Sequence, residues 1–136
     1  MDGVSGKVDL ITGSSRGIGK AIAQKLAHAG ADIAINYRYD RGSSRAKAEA
    51  LQVEIQRNNC RTTLIQSEIT KKDSVKAMIQ AVSDGLGKLD YLILNAARAP
   101  FKPIEKLFER ELKQLVDTNY LGNIFCIQQA IPLLEQ

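Results

Sequence analysis

A glycine-rich stretch near the start of the chain constrains the fold more than any other feature. Residues 12–19 read Thr-Gly-Ser-Ser-Arg-Gly-Ile-Gly, and a strand-like run at residues 7–12 leads into them. Beyond them, apolar residues recur at helical spacing up to Gly30, which predicts a helix that ends there. These apolar positions are Ile18, Ala21, Ile22, Leu26 and Ala29. Strand, glycine turn and helix therefore form the first unit of the chain.

The same unit then repeats along the chain. Further strands are predicted at residues 31–36 and 62–66. Residues 89–94 contain the uninterrupted apolar run Tyr-Leu-Ile-Leu, which predicts a fourth strand that is buried on both faces. A helix is expected after each of the first three strands. The third helix is expected to open with a capping box formed by Thr70 and Asp73, and to stop at the glycines at positions 85 and 87. This alternation predicts an α/β fold with a Rossmann-type, doubly wound parallel sheet in the strand order 3-2-1-4.

The last quarter of the chain, residues 104–136, is predicted to be helical. A short piece runs through Phe108, and a long helix follows with Pro132 in its last turn, where proline removes a backbone donor and should kink the helix. One side of the long helix carries Leu112, Leu115, Val116, Asn119, Cys126 and Ala130. Asn119 is thus a polar amide on an inward stripe, where it is costly unless it is hydrogen-bonded.

Composition narrows the class of protein. A chain of 136 residues with 44% hydrophobic and 25% charged residues suits a single globular domain covering residues 1–136. No apolar run approaches the ~20 residues that span a bilayer, and the N-terminus lacks a secretory signal, so a soluble cytoplasmic protein without membrane contact is expected. The net charge of +4 is scattered, which favours a phosphate-bearing small ligand over nucleic acid. The two cysteines, Cys60 and Cys126, suggest neither a disulfide framework nor a metal site.

The glycines of residues 12–19 have separate expected roles at a phosphate site. Gly13 would permit the sharp exit from the strand, Gly17 would let the backbone approach a pyrophosphate, and Gly19 would let helix and strand pack closely. A Walker A loop is excluded because Gly19-Lys20 continues into alanine rather than Ser or Thr. The strict Gly-x-Gly-x-x-Gly fingerprint also fails, because isoleucine stands at position 22. The alternative is a glycine turn that serves only the fold.

The remaining pattern, Thr-Gly-x-x-x-Gly-x-Gly, resembles the cofactor loop of the short-chain dehydrogenase/reductase family. Other family-like features follow in order: Leu89-Asp90 before the fourth strand, Asn95-Ala96-Ala97 after it, Asn119 with Gly122 on the long helix, and Pro132. The resemblance covers all 136 residues as the N-terminal part of such an enzyme. It is greatest to bacterial acyl-carrier-protein reductases, both the 3-oxoacyl type and the enoyl type in which Asn-Ala-Ala replaces Asn-Ala-Gly.

The resemblance implies a nicotinamide dinucleotide cofactor and a set of residues that hold it. Asn95 and Ala96 would line the adenosine ribose and support the strand end, and Glu68 stands where the family commonly has an Asp that hydrogen-bonds adenine. Asn119 would act catalytically, because its backbone in the family helps to hold a water in the proton relay. The residues expected to contact the cofactor are Gly13, Ser14, Ser15, Arg16, Gly17, Ile18, Gly19, Tyr37, Arg38, Glu68, Ile69, Asn95, Ala96 and Ala97.

Charge at the end of the second strand indicates which dinucleotide binds. A carboxylate there selects NADH through the ribose 2′-hydroxyl, whereas the 2′-phosphate of NADPH requires arginine. Arg38 ends this strand and Arg16 lies in the glycine loop, so two guanidinium groups could flank one phosphate. NADPH is therefore the expected cofactor. The alternatives are that both arginines are ordinary solvated charges, or that Asp40 contacts the ribose.

The family's catalytic Ser and Tyr-x-x-x-Lys are expected beyond residue 136. None of the four tyrosines, Tyr37, Tyr39, Tyr91 and Tyr120, has Lys four residues later. The chain alone is therefore expected to be inactive as the cofactor-binding half of an NADPH-dependent oxidoreductase. Its substrate would be a small molecule, carried on acyl-carrier protein or CoA, with a carbonyl or enoyl group to reduce. The alternative is a non-catalytic dinucleotide-binding fragment or assembly partner, and in either case homo-oligomers through the C-terminal helix are expected.

Three positions depart from the family pattern. Asp9 lies inside a strand expected to be buried, where an unpaired carboxylate must either become protonated or destabilise the fold. Glu68 replaces the adenine-binding Asp, and Leu94 replaces the first Asn of Asn-Asn-Ala-Gly. These departures bear on how well the site is formed.

Overall fold

A computed structural model describes residues 3–136 as a parallel β-sheet with helices on both faces. The first half of the chain alternates strands and helices, as the sequence predicts. In chain order the elements are β1 (Val8–Ile11), α1 (Gly17–His28), β2 (Asp32–Tyr37), α2 (Ser44–Gln56), β3 (Thr62–Gln66), α3 (Lys72–Leu86), β4 (Tyr91–Ile93), a 3₁₀ turn (Ile104–Lys106), α4 (Glu109–Val116), a π-helical turn (Asp117–Gly122) and α5 (Asn123–Leu134). None of the helices within residues 3–136 combines the length and apolar character needed to cross a membrane.

The four strands lie in the order β3-β2-β1-β4 and all pairs are parallel, which confirms the predicted order 3-2-1-4. In the register, Asp9 of β1 lies opposite Ile33 of β2 and Tyr91 of β4. β4 is shorter than the predicted run 89–94, and within residues 3–136 no strand pairs with its outer edge. Its side chains are half-buried or exposed, so the expectation of burial on both faces is wrong for this chain.

Two hydrophobic cores form because alternate residues of a strand point to opposite faces of the sheet. Val8 and Leu10 of β1 pack with α3 and α5, whereas Ile11 packs with α1 and α2. All three side chains are fully buried. The central strands are therefore covered on both faces, and their carboxyl ends converge at one edge of the sheet.

The buried face of α1 differs from the predicted one. Gly19, Ala23 and Ala27 lie against the sheet, whereas Ile18 is 74% exposed and Ala21 is also exposed. Of the other predicted positions, Ile22 and Leu26 are partly buried and pack against this core. Small residues on this face let the helix axis approach the strands closely. Residue size at the contact therefore fixed the helix rotation, rather than the hydrophobicity of the larger side chains at the predicted positions.

The predicted capping box of α3 is wrong. The helix begins at Lys72, and no side chain caps it. The Ser74 hydroxyl instead accepts the backbone N–H of Glu68 at 3.1 Å, and a Glu68 carboxylate oxygen accepts the N–H of Thr70 at 3.3 Å. Of the two predicted stops, Gly85 lies inside the helix and only Gly87, with φ of +83°, ends it. The polar side chains of the β3–α3 loop therefore hydrogen-bond to the loop's own backbone rather than cap the helix.

The C-terminal helix is interrupted by the π-helical turn Asp117–Gly122. Cys126 and Ala130 are buried as predicted. Leu112 and Val116 before the turn and Asn119 within it are exposed, so this part of the predicted inward stripe is wrong. A π-turn inserts an extra residue and rotates the buried face between the two helix segments. A single helical period over the whole segment therefore could not describe both halves. α5 continues past Pro132 to Leu134.

Candidate functional site

The glycine loop is anchored to β2 by Asn36. The Asn36 Oδ1 accepts the N–H of Gly13 at 2.9 Å, and its backbone carbonyl accepts the N–H of Ser14 at 2.9 Å. In return the Ser14 hydroxyl accepts the Asn36 N–H at 3.1 Å. Gly13 has φ of +64°, and an added Cβ would lie 3.2 Å from Ala96. The turn after β1 is thereby held in one position between β2 and the segment that follows β4.

Gly17 and Gly19 differ in what surrounds them. Gly17 has φ of +59° and faces open space, whereas a Cβ on Gly19 would lie 2.5 Å from Asn95 Nδ2 and 2.6 Å from the Gly13 carbonyl oxygen. Gly19 therefore permits the close packing expected of it, and Gly17 leaves the start of α1 uncovered. Within residues 3–136, the backbone N–H groups of Gly17, Ile18 and Gly19 have no hydrogen-bond acceptor, and no side chain caps the helix. Such an uncapped N-terminus can bind an anion.

Thr12 and Asn95 join the ends of β1 and β4. The Thr12 hydroxyl oxygen accepts the N–H groups of Asn95 and Ala96 at 3.0 Å each. The Asn95 Nδ2 donates to the carbonyl oxygens of Thr12 and Gly13, also at 3.0 Å. The side chain of Asn95 is thus committed to the backbone and supports the strand end. Its expected contact with a ribose stays a prediction.

A small cleft of about 60 Å³ lies at the carboxyl ends of the strands. It brings together residues from the glycine loop, the ends of β2 and β3, the segment after β4 and the π-helical turn. They are Gly13, Asn36, Arg38, Ser67, Glu68, Ile69, Ala96, Ala97 and Thr118. Six of the predicted cofactor-binding residues are among them, and they come from four separate parts of the sequence.

Arg38 and Glu68 form an ion pair in the wall of this cleft. The Arg38 Nε donates to Glu68 Oε2, and the guanidinium carbon lies 4.7 Å from the centroid of the Tyr39 ring. The Arg38 side chain is 39% exposed and the Glu68 side chain 13% exposed, so the pair lies at the rim of the cleft. Arg38 therefore contacts a carboxylate that the sequence assigned to a different role.

The other predicted residues lie outside the cleft. Arg16 and Ile18 are exposed at the start of α1, and Ser15 is buried beneath the loop. Tyr37 is 6% exposed and its hydroxyl donates to Asp40 Oδ1 at 2.8 Å; burial and this hydrogen bond both raise the pKa of Tyr37. Asp40, the alternative ribose contact, is therefore occupied by Tyr37 and lies 3.6 Å from Arg45.

Asn119 is exposed, although the sequence predicts it on an inward stripe. Its amide pairs with the backbone of Arg98: Asn119 Oδ1 accepts the Arg98 N–H and Asn119 Nδ2 donates to the Arg98 carbonyl oxygen, both at 2.8 Å. Asn119 thus ties the π-helical turn to the segment after β4. The same turn needs Gly122, because a Cβ there would lie 2.9 Å from the Ile69 side chain.

Sequence reasoning missed three residues that line the cleft, Asn36, Ser67 and Thr118. Asn36 and Thr118 are nearly fully buried polar side chains, and Asn36 Nδ2 also donates to the Ile65 carbonyl oxygen at 3.2 Å. The available signal was a polar residue at the end of an apolar strand, which is costly unless it is hydrogen-bonded. Asn36 closes the second strand in this way.

The surroundings of both cysteines disfavour the thiolate form. Burial raises the pKa of Cys126 to about 11, and burial followed by the nearby Asp32 carboxylate raises the pKa of Cys60. Both thiols are free. Within residues 3–136, no group of three or more His, Cys, Asp or Glu side chains is arranged to hold a metal ion.

A parallel sheet with a glycine turn at the carboxyl end of its first strand is the Rossmann class of α/β domain. The family model for short chain dehydrogenases matches residues 7–136. The chain therefore belongs to the short-chain dehydrogenase family, as its motifs predict.

Relatives support this assignment and show how much of a family member the chain represents. The chain is 40% identical over 126 residues to the 3-oxoacyl-(acyl-carrier-protein) reductase FabG of Staphylococcus aureus, an alignment that covers 93% of the chain and 50% of the reductase. The structure of a dehydrogenase from Burkholderia cenocepacia with bound NADP superposes with a TM-score of 0.87 at 26% identity, covering 96% of this chain and 49% of that one. An NADH-dependent reductase responsible for alginate metabolism superposes with a TM-score of 0.86 at 27% identity, covering 98% and 53%. The chain spans about half the length of the relatives it matches.

Proposed function

We propose that this chain is the NADPH-binding part of a short-chain oxidoreductase. The observation that carries the proposal is the cleft beside the glycine loop, with the Arg38 guanidinium at its rim. The uncapped start of α1 offers backbone N–H groups to a pyrophosphate, and open space at Gly17 leaves them accessible. These features fit the phosphate groups of a dinucleotide: the pyrophosphate at the start of α1 and a 2′-phosphate beside Arg38. When bound, the dinucleotide would supply hydride to the substrate, while the residues of this chain bind and orient it.

The fold alone does not select the cofactor, because structures similar to this chain include both an NADP complex and an NADH-dependent reductase. The choice of NADPH over NADH therefore depends on the residues at the end of β2. No carboxylate ends β2 at the position of Arg38. An arginine there can bind a 2′-phosphate with charge-assisted hydrogen bonds. Arg16, exposed in the glycine loop, is the proposed second cation.

The proposed substrate is a carbonyl or enoyl group on an acyl thioester, carried by acyl-carrier protein or CoA. The 40% identity to the staphylococcal 3-oxoacyl-(acyl-carrier-protein) reductase supports the carbonyl group and acyl-carrier protein in this assignment, and the enoyl group and CoA stay predictions. Asn119 is proposed to serve the proton relay by position, since its amide fixes the backbone of Arg98 next to the segment that lines the cleft. A cytoplasmic location stays a prediction.

We also propose that the chain pairs with a second copy through α4 and α5. Apolar side chains that are at least one-third exposed recur there every three or four residues. We call them the α4–α5 stripe: Leu112, Val116, Tyr120, Ile124, Ile127 and Ile131. Exposed apolar surface of this extent is typical of an interface.

The test of the cofactor assignment is the binding of NADP⁺ and NAD⁺ to the 136-residue chain by isothermal titration calorimetry. Wild-type chain should prefer NADP⁺, and Arg38→Gln should weaken NADP⁺ binding by roughly tenfold to a hundredfold, because a charge-assisted contact is lost. NAD⁺ binding should stay unchanged. Arg57→Gln, which removes the same charge at the far end of α2, is the matched control. Equal loss of both dinucleotides in Arg38→Gln would contradict the role of Arg38.

A further inference from the structure

The Arg38 side chain is held from two sides, and neither contact uses its terminal nitrogens. Its Nε donates to Glu68, and its guanidinium plane lies over Tyr39. Within residues 3–136, the two terminal nitrogens donate no hydrogen bond. They are therefore free to bind an anion while Nε remains on Glu68.

Glu68 is fixed in place by the β3–α3 loop. Its Oε1 accepts the N–H of Thr70 at 3.3 Å, and its own backbone N–H donates to Ser74 Oγ at 3.1 Å. The Ser67 hydroxyl donates to the Ser74 carbonyl oxygen at 3.1 Å and so closes the loop. The carboxylate is mostly buried, so its position is set by the loop as well as by Arg38.

The two charges make opposite contributions to cofactor choice. A guanidinium that already neutralises a carboxylate has less attraction left for a phosphate, and a fixed negative charge also opposes a dianion nearby. We propose that Glu68 sets the cofactor preference of the site by competing with the 2′-phosphate for Arg38, which holds NADPH selectivity below what Arg38 alone would give. This inference rests on the proposed function, since it concerns the same cleft.

Glu68→Gln removes the negative charge and keeps the length of the side chain. Glu68 uses Oε2 for Arg38 Nε and Oε1 for the N–H of Thr70, so the single glutamine oxygen keeps one of these two contacts, while Tyr39 still supports the guanidinium. The probes are adenosine 2′,5′-bisphosphate and adenosine 5′-monophosphate, which differ only in the 2′-phosphate, titrated into the 136-residue chain by calorimetry at low salt. Both probes contain adenine, so the readout is the ratio of their affinities, which cancels any change in an adenine contact of residue 68. The expected result is a rise of about fivefold in the affinity for the bisphosphate relative to the monophosphate.

Two further variants define the outcome. Glu54→Gln removes the same charge from the exposed side of α2 and should leave both affinities unchanged. In an Arg38→Gln background, Glu68→Gln should lose most of its effect, because the competition acts through Arg38. An unchanged or lower affinity for the bisphosphate relative to the monophosphate in Glu68→Gln overturns the inference, as does a full effect in the Arg38→Gln background. If wild-type chain binds neither probe, the proposed function itself fails, and this result is distinct from the others.

Discussion

Asp9 lies inside the sheet with both carboxylate oxygens unpaired among the described residues. It is fully buried, and burial raises its pKa from 3.8 to about 6, with a further contribution from the Asp90 carboxylate. Asp90 itself has the N–H of Val8 and the ammonium groups of Lys7 and Lys88 as partners. The negative charge on Asp9 is therefore uncompensated, and it destabilises the fold whenever the residue is ionised.

The pH dependence of stability follows from this raised pKa. Between pH 3.8 and about 6 the folded chain keeps a proton on Asp9 that the unfolded chain has lost. The free energy of unfolding contributed by Asp9 therefore falls as pH rises through this window, by about 3 kcal/mol in total. Asp9→Asn should match the wild-type chain near its acid limit and be about 3 kcal/mol more stable at neutral pH.

Urea unfolding of both chains at a series of pH values measures the difference. The comparison isolates Asp9, because paired carboxylates such as Asp90 and Glu111, whose pKa values are lowered, change stability in the opposite direction in both chains. Asp84→Asn, at an exposed position on α3, controls for the loss of one charge. Parallel pH profiles for wild type and Asp9→Asn would show that Asp9 is ionised without cost.

At the level of elements, two glycines where the glycine loop meets α1 are expected to have different roles. Gly19 is expected to matter for stability and Gly17 for nucleotide binding. Gly19→Ala would place a methyl group within 2.6 Å of a backbone carbonyl oxygen, so the helix must move, at a cost of about 3 kcal/mol. Gly17→Ala meets no atom within 4 Å and costs about 1–2 kcal/mol through its positive φ. Its methyl group would instead stand over the uncapped start of α1, and nucleotide affinity should fall strongly.

Thermal unfolding and calorimetric titration with NADP⁺ distinguish the two variants. Gly42→Ala is the control for Gly17→Ala, because Gly42 has φ of +68°, open surroundings and a place in the β2–α2 loop. Gly42→Ala should lose similar stability and keep nucleotide affinity. A Gly17→Ala chain that binds NADP⁺ like the Gly42→Ala chain would show that no ligand approaches the start of α1.

The order of elements and the buried faces of α2 and α3 could be predicted from the sequence, whereas the buried face of α1 and that of the helix before α5 could not. Glycines 13, 17 and 19 and the four apolar strands depend on local pattern, which the sequence displays directly. The buried face of α1 instead depends on how closely Gly19 lets the helix approach, and the face before α5 depends on a π-turn that shifts the helical period. Such tertiary effects override hydrophobic periodicity.

For the site as well, the local pattern could be predicted from the sequence and the tertiary contacts could not. Arg38 and Glu68 could each be selected from their place after a strand, but their pairing joins residues 30 positions apart through two adjacent strands and an ordered loop. The inward position predicted for Asn119 is wrong because the π-helical turn carries it outward, to the backbone of Arg98. The sequence therefore indicates which residues belong to the site, whereas the contacts between loops determine which partner each of them binds.

For the whole molecule, the α4–α5 stripe provides a prediction about assembly. If the stripe pairs two copies, then Val116→Glu and Ile124→Glu each place a charge in a dry interface and should weaken dimerisation at least about tenfold. Both positions are exposed, so the fold should tolerate the substitutions. Sedimentation velocity over a concentration series measures the dimerisation constant, and circular dichroism verifies the fold.

Val53→Glu is the matched control, because Val53 is 59% exposed on α2, outside the stripe. It should leave the dimerisation constant unchanged. The open edge of β4 is the competing interface, since a second copy could pair with it through backbone hydrogen bonds. Such a dimer would survive Val116→Glu and Ile124→Glu, so dimers that persist in both variants would assign the contact to β4 rather than to the stripe.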